Sequence, residues 1–225
     1  MKKINFHFIH GWGFDSNFWN KLKFELKKSF LDSNFLTYNL GFFGNEKIPK
    51  NLNNSYLNIF IVHSFGFNWL IKKKIETDCI FNFFGTPIFI EKKTSFHNRF
   101  IDKMIISFKQ RPIPVIKAFY RKCGLNCKYK IDYNDLNSFR LNESLIELKN
   151  DNLLKHLEKK EGKIFSFFSD SDKILPFRNF KKLFNSTEHI ITVFEKEEHA
   201  FPILKSFEAS TIIKDMINKN FFYEK

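Results

Sequence analysis

The chain has 225 residues, of which 43% are hydrophobic and 27% charged, and it carries a formal net charge of +13. That length suits one α/β domain with a full core and room for an inserted subdomain, and the composition excludes a disordered or fibrous chain. Cys79, Cys123 and Cys127 form an odd set with no paired ligands, which argues against a disulfide framework or a zinc site, and no apolar run is long enough to span a membrane.

The charge has three readings: compositional drift toward lysine, attraction to an acidic macromolecular partner, or nucleic-acid binding. The last is disfavoured, because the lysines are scattered, without finger or helix-turn-helix spacing or a basic stripe interleaved with aromatics. The 32 phenylalanines read mainly as core filler in place of leucine. Met1-Lys2-Lys3 before apolar residues has the outline of a signal peptide. Asn5, His7 and His10 interrupt that run and no small-residue cleavage site follows, so it reads as a first strand. The expected location is the cytoplasm, with reduced thiols.

In chain order, strands are predicted over 4–9, 35–39, 57–62, 80–84, 164–168 and 190–194, and helices over 16–29, 67–75, 177–184 and 206–218. Asp15-Ser16 is the expected cap of the first helix, and Pro176 opens the third. This alternation predicts a parallel sheet covered on both faces. From 90 to 157 the pattern is helical with no strand, broken at Arg111-Pro112-Ile113-Pro114. That stretch reads as a helical lid inserted into a core made of 1–89 and 158–225.

Four segments placed after strands carry chemistry. His10-Gly11-Trp12-Gly13 follows the first strand, and its glycines permit a tight turn that presents the Trp12 N–H. His63-Ser64-Phe65-Gly66 sits between a buried strand and a helix, where a serine is exposed on a sharp turn beside the free amides of a helix N-terminus. Ser169-Asp170-Ser171-Asp172 follows the fifth strand, where a carboxylate fixes the tautomer of a histidine. Asp172 is preferred to Asp170 because x-apolar-apolar-Pro follows it. Glu198-His199-Ala200-Phe201-Pro202 follows the last strand. Taken singly, each has a plainer explanation: a glycine loop, an N-cap serine, a turn aspartate and a surface histidine. Together they place serine, acid and histidine in one chain order behind an oxyanion loop.

On these residues the chain resembles the α/β-hydrolases, and within them the biotin-pathway pimeloyl-[acyl-carrier-protein] methyl ester esterases. The likeness is carried by Phe8-Ile9-His10-Gly11-Trp12-Gly13 with Trp19, Leu40-Gly41-Phe42-Phe43-Gly44, His63 to Gly66, Leu141 to Leu148, Asp172 to Pro176 and His199 to Pro202. The resemblance implies an α/β-hydrolase fold whose first antiparallel strands are missing, with Ser64, Asp172 and His199 as the catalytic residues. It also implies an oxyanion hole from the Trp12 and Phe65 amides, and no cofactor or metal. The implied substrate is a methyl ester on an acyl carrier protein. Phe65, Phe108 and Phe119 are candidates to line an acyl tunnel. Lys117, Arg121 and Lys122, with Lys103, Lys109 and Arg111, are candidates to dock the acidic carrier; a solvated helix face is the equal alternative. A broad carboxylesterase or thioesterase, or a non-catalytic acyl binder, remain alternatives. Val62, Phe67, Ser169 and Glu198 stand where the family pattern has smaller residues.

Overall fold

Six short runs rich in Phe, Ile and Val carry almost no charge, and such runs are stable as strands only where both faces are covered. The computed structural model describes residues 3–50, 52–90, 96–126, 129–184 and 189–222. In it these runs form one sheet from β1 (Ile4–Ile9), β2 (Asn34–Tyr38), β3 (Leu57–His63), β4 (Cys79–Phe83), β5 (Lys163–Ser169) and β6 (Ile190–Phe194). The order is β2-β1-β3-β4-β5-β6 and every pairing is parallel. Every residue of β1, β3 and β4 is buried. Phenylalanines pave the middle of the sheet across strands, Phe81 on Phe165 at 5.2 Å and Phe83 on Phe167 at 4.8 Å between ring centroids. Most of the aromatic excess is spent in this way, as core.

The chain leaves β1 toward one edge to make β2, then returns to the other side of β1 with β3. At such a reversal the two connections diverge and open a crevice beyond the carboxyl ends of the strands. The loop after β1 and the turn after β3 both fall there.

The helices complete the covering layers. A 3₁₀ turn over Ser16–Trp19, capped by the Asp15 carboxylate on the Asn17 N–H at 2.9 Å, leads into α1 (Asn20–Lys27). The expected single helix over 16–29 is therefore two pieces. α2 (Phe65–Lys72) starts directly after Ser64, two residues earlier than the apolar pattern suggested. Between β4 and β5 come α3 (Phe96–Gln110), α4 (Pro112–Lys122), α5 (Ser138–Asn150) and α6 (Leu154–Glu158), and the break before α4 falls at Arg111 as expected. α7 (Phe201–Leu204) and α8 (Ser206–Ile217) close the chain, with α8 lying along α1. No helix among the described residues is long and apolar enough to cross a membrane.

The helix expected over 177–184 is not α-helical: it is two 3₁₀ turns, Phe177–Asn179 and Lys181–Phe184. The apolar residues Phe177, Phe180 and Leu183 recur every third position, which matches the three-residue turn of a 3₁₀ helix and not the 3.6 of an α-helix. Pro176, at ψ 122°, lies outside the helix instead of opening it.

Close packing at the start of α2 depends on glycines. A Cβ on Gly66 would lie 2.6 Å from the His10 carbonyl oxygen and 2.7 Å from that of Ile9. The bulky Phe67 fits because its neighbour gives way: a Cβ on Gly85 would stand 2.4 Å from the Phe67 Cβ. Val62 is fully buried and pairs with Ile9. Gly66→Ala is expected to destabilise the fold by about 2 kcal/mol or more, because backbone must move to admit the methyl group; a fall in the urea midpoint at unchanged slope would measure it.

Candidate active site

Ser64 ends β3 in a backbone conformation that residues with a Cβ avoid, φ 49° and ψ −122°. Such a conformation costs about 1–3 kcal/mol and persists only when its surroundings enforce it. The Ser64 N–H donates to the Phe83 carbonyl at 2.8 Å, and the Phe67 N–H donates to the Ser64 carbonyl at 2.9 Å. Phe84, which begins the turn after β4, is held at φ 58°. Both residues line the same small cavity.

The acid and the imidazole meet behind it. Asp172 Oδ2 accepts from His199 Nδ1 at 2.7 Å, and neither side chain has any exposure. The other carboxylate oxygen, Oδ1, accepts the Ile174 N–H at 2.7 Å, so the buried acid is satisfied on both sides. Asp170 is differently used: it is exposed and accepts the Arg178 N–H. With Nδ1 engaged, His199 Nε2 has no hydrogen-bond partner among the described residues. No hydrogen bond joins the Ser64 hydroxyl to it. The His199 ring packs against Phe84 at 5.5 Å and Phe119 at 6.3 Å, and both rings share the Ser64 cavity.

Three bonds hold the His199 loop. His63 Nε2 donates to the His199 carbonyl at 2.9 Å, and its ring lies 4.8 Å from that of His199. The Ala200 N–H donates to the Cys123 carbonyl at 3.1 Å. The Ser169 hydroxyl accepts from the Glu197 N–H at 3.1 Å and from the Ser171 N–H at 3.1 Å, tying the acid loop to the histidine loop. A glycine at 169 could not do this. Glu198 is accommodated because Gly124, at φ +88°, leaves room: a Cβ there would come within 2.8 Å of the Glu198 Cβ.

The two amides expected to receive an oxyanion come from different elements. The Phe65 N–H belongs to the first turn of α2 and has no acceptor within the helix. The Trp12 N–H lies in the turn closed by the Phe14 N–H on the Gly11 carbonyl. The loop packs tightly on the elbow, since a Cβ on Gly11 would stand 2.6 Å from His63 Nδ1 and 3.1 Å from the Ser64 Cβ.

The cavity beside Ser64 is apolar and has a volume of only about 30 Å³. Phe65 and Phe119 line it, while Phe108 stands one layer back with its ring edge on Trp12 at 5.7 Å. Lys117, Arg121 and Lys122 do not reach it; they are exposed on the outer side of α4, with Lys122 Nζ over the Phe100 ring at 4.2 Å. Several wall residues escaped the sequence reading. Met104 on α3 and Leu145 and Leu148 on α5 sit on apolar faces at helical spacing, a signal that marks burial without saying what is buried against it. Asn68 was also missed; its amide donates to the Thr86 carbonyl at 2.7 Å and braces the cavity floor. A larger surface cleft, about 780 Å³, lies at the opposite end of the sheet beside Asn58 and Asp78, remote from these residues.

Among the described residues no group of three or more His, Cys, Asp or Glu could hold a metal ion. Cys79 and Cys123 are buried free thiols whose pKa values burial pushes up; Cys127 lies outside the described residues.

Solved structures share this arrangement of strands and helices. An esterase from Exiguobacterium antarcticum matches with a TM-score of 0.80 at 14% identity, over 96% of this chain and 92% of that one. The fold is that of the α/β-hydrolases. A bromoperoxidase from Bacillus anthracis matches with a TM-score of 0.74 at 12% identity, over 94% and 91%. A lipase-esterase related protein from Clostridium acetobutylicum matches at 0.69 and 15%, over 95% and 94%. No protein-family model and no curated protein matches the chain. At these identities an α/β-hydrolase likeness fixes the architecture, and the names of the neighbours already span more than one reaction.

Three buried imidazoles, His7, His10 and His63, are kept neutral. Burial depresses His10, whose Nε2 accepts the Leu40 N–H at 3.1 Å, and depresses His63 strongly. His7, between the Tyr38 hydroxyl and the Asn58 side chain, is lowered to about 4 by burial. The unfolded chain, whose histidines titrate near 6.5, binds protons that the folded state refuses. Stability is therefore full above about pH 6.5 and is lost as pH falls toward 4. For His7 alone the loss by pH 5 is about 2 kcal/mol, which urea denaturation at pH 7.5 and pH 5 would register as a lower midpoint in acid.

Proposed function

We propose that this protein is a serine esterase that hydrolyses carboxylic esters through an acyl-enzyme. The observation that carries the reading is the buried Asp172–His199 pair at 2.7 Å, with an unpartnered Nε2 and its ring against Phe84 and Phe119, which line the same cavity as a serine held in a strained elbow. A paired Nδ1–H fixes the tautomer in which Nε2 accepts a proton, and the carboxylate stabilises the imidazolium that results. His199 would take the Ser64 proton as the hydroxyl attacks the ester carbonyl, with the Trp12 and Phe65 amides receiving the developing oxyanion. It would then return the proton to the departing alkoxide, and water activated by the same nitrogen would release the acid.

For the substrate we propose the methyl ester of a pimeloyl group on an acyl carrier protein, on the sequence resemblance. Two features support a chain-bearing acidic carrier. The cavity wall is apolar, as an acyl chain requires. Lys103, Lys109, Arg111, Lys117, Arg121 and Lys122 are all exposed on α3 and α4 and the link between them. Asp102, the acid on the same stretch, is taken by Lys149. A general short-chain carboxylesterase is the second reading. It is favoured by the small cavity volume beside Ser64, about 30 Å³.

Ser64→Ala and His199→Ala are each expected to lower kcat on a short p-nitrophenyl ester by at least about 10³-fold, and Asp172→Asn by about 10³–10⁴-fold. Asp170→Asn should leave turnover within about twofold. Retained turnover in Ser64→Ala would reject the esterase mechanism, and ligand binding without turnover in the wild type would favour a non-catalytic binder.

Reversing the charge of Lys117, Arg121 and Lys122 together should raise KM for the carrier-linked methyl ester by about tenfold while sparing a free short ester. Equal effects on both substrates would reject carrier docking. Faster hydrolysis of free short esters than of any carrier-linked ester would replace the first substrate reading by the second.

A further inference from the structure

Gly11-Trp12-Gly13 has little to hold its own shape. Glycines flank Trp12, and Gly13 stands at φ +71°, so the segment has wide conformational freedom. An amide that stabilises a developing charge must point correctly beforehand, because its advantage lies in needing no reorganisation. Within the turn the Gly11 carbonyl accepts only the Phe14 N–H, at 3.4 Å, and the stronger restraints on this amide come from outside the loop.

On the sheet side, His10 Nδ1 donates to the Gly11 carbonyl at 2.9 Å. That oxygen and the Trp12 N–H belong to one planar trans peptide, so fixing the oxygen aims the N–H the opposite way. On the other side the restraint is supplied by the helices between β4 and β5. Tyr120 of α4 donates its hydroxyl to the Gly13 carbonyl. The Trp12 indole N–H donates to the Leu141 carbonyl of α5 at 2.9 Å. Tyr120 is 3% exposed, its ring stacks on Phe14 at 5.2 Å, and burial raises its pKa far above the ordinary value, so it remains a donor at every accessible pH.

We infer that Tyr120 is a positioning residue for the Trp12 amide, so that α4 must be seated on the loop for the oxyanion to be bound. This rests on the esterase reading and adds to it a coupling between the inserted helices and the reacting carbonyl. Tyr120 touches neither the cavity nor Ser64; it acts through the Gly13 peptide. A substrate that lifts α4 on its way in loosens the amide, and the amide recovers its aim only once α4 has closed.

Tyr120→Phe keeps the stacked ring and removes one O–H. Hydrogen–deuterium exchange of the amides at residues 11–13 should accelerate about fivefold or more, the factor an ordinary buried hydrogen bond supplies. With a short p-nitrophenyl ester, kcat should fall about tenfold, short of the 10²–10³-fold lost with a whole oxyanion donor, and KM should stay within about twofold. Tyr129→Phe is the control: its hydroxyl joins the same inserted region to the Asp15 side chain, past the loop, and should change neither readout.

Unaltered exchange in Tyr120→Phe overturns the inference, as does faster exchange with unaltered kcat, or a raised KM with kcat intact. Equal losses in Tyr129→Phe overturn it too, since they would mean general loosening. A wild-type protein without Ser64-dependent turnover sinks the esterase reading instead, and the exchange measurement then still decides whether Tyr120 holds the loop.

Discussion

The turn at Ser64 constrains everything around it. A backbone at φ 49° with a side chain attached is unfavourable alone, and it exists here because β3, β4 and α2 leave the chain no other course. To make that turn, α2 must begin against the end of β1, and β1 can accept it only where Gly66 carries no Cβ. The loop after β1 must then pass beside His63 and Ser64, which only Gly11 permits. One awkward dihedral thus dictates which positions are glycine, where the two amides lie and how near the His199 loop can come.

Four buried histidines show how far surroundings, rather than residue type, assign a role. His7 and His10 are embedded acceptors and donors in neutral form, bracing β1 against β2 and its following loop. His63 precedes the serine yet serves the backbone of His199. Only His199 has an acid on one nitrogen and nothing on the other. A buried carboxylate without a partner would be costly, and Asp172 is made tolerable by the ring it orients together with the Ile174 amide.

Much of this was legible in the chain, for physical reasons. Strands buried on both faces must be apolar throughout, so β1, β3, β4 and β5 announce themselves, and their alternation with helices predicts the parallel sheet. The serine, acid and histidine segments were visible because each follows such a strand. What stayed hidden was compensation between distant positions. Phe67 looked too large for its place, and nothing local says that Gly85 would yield to it. Ser169 and Glu198 looked like departures, whereas one staples two loops and the other nests against Gly124. The segment 177–184 departs from the expected helix because its apolar residues recur every third position, a spacing that suits 3₁₀ turns.

The tightness of the space beside Ser64 bears on what it can admit. A chamber filled by Met104, Leu145, Leu148 and Phe119 has no vacant tube waiting for a hydrocarbon tail. Of the side chains that line it, the unbranched thioether of Met104 is the most compliant. A longer guest would enter most easily by parting α3 from α5 at that side chain, so the inserted helices, more than the sheet, set the size of what this space can admit.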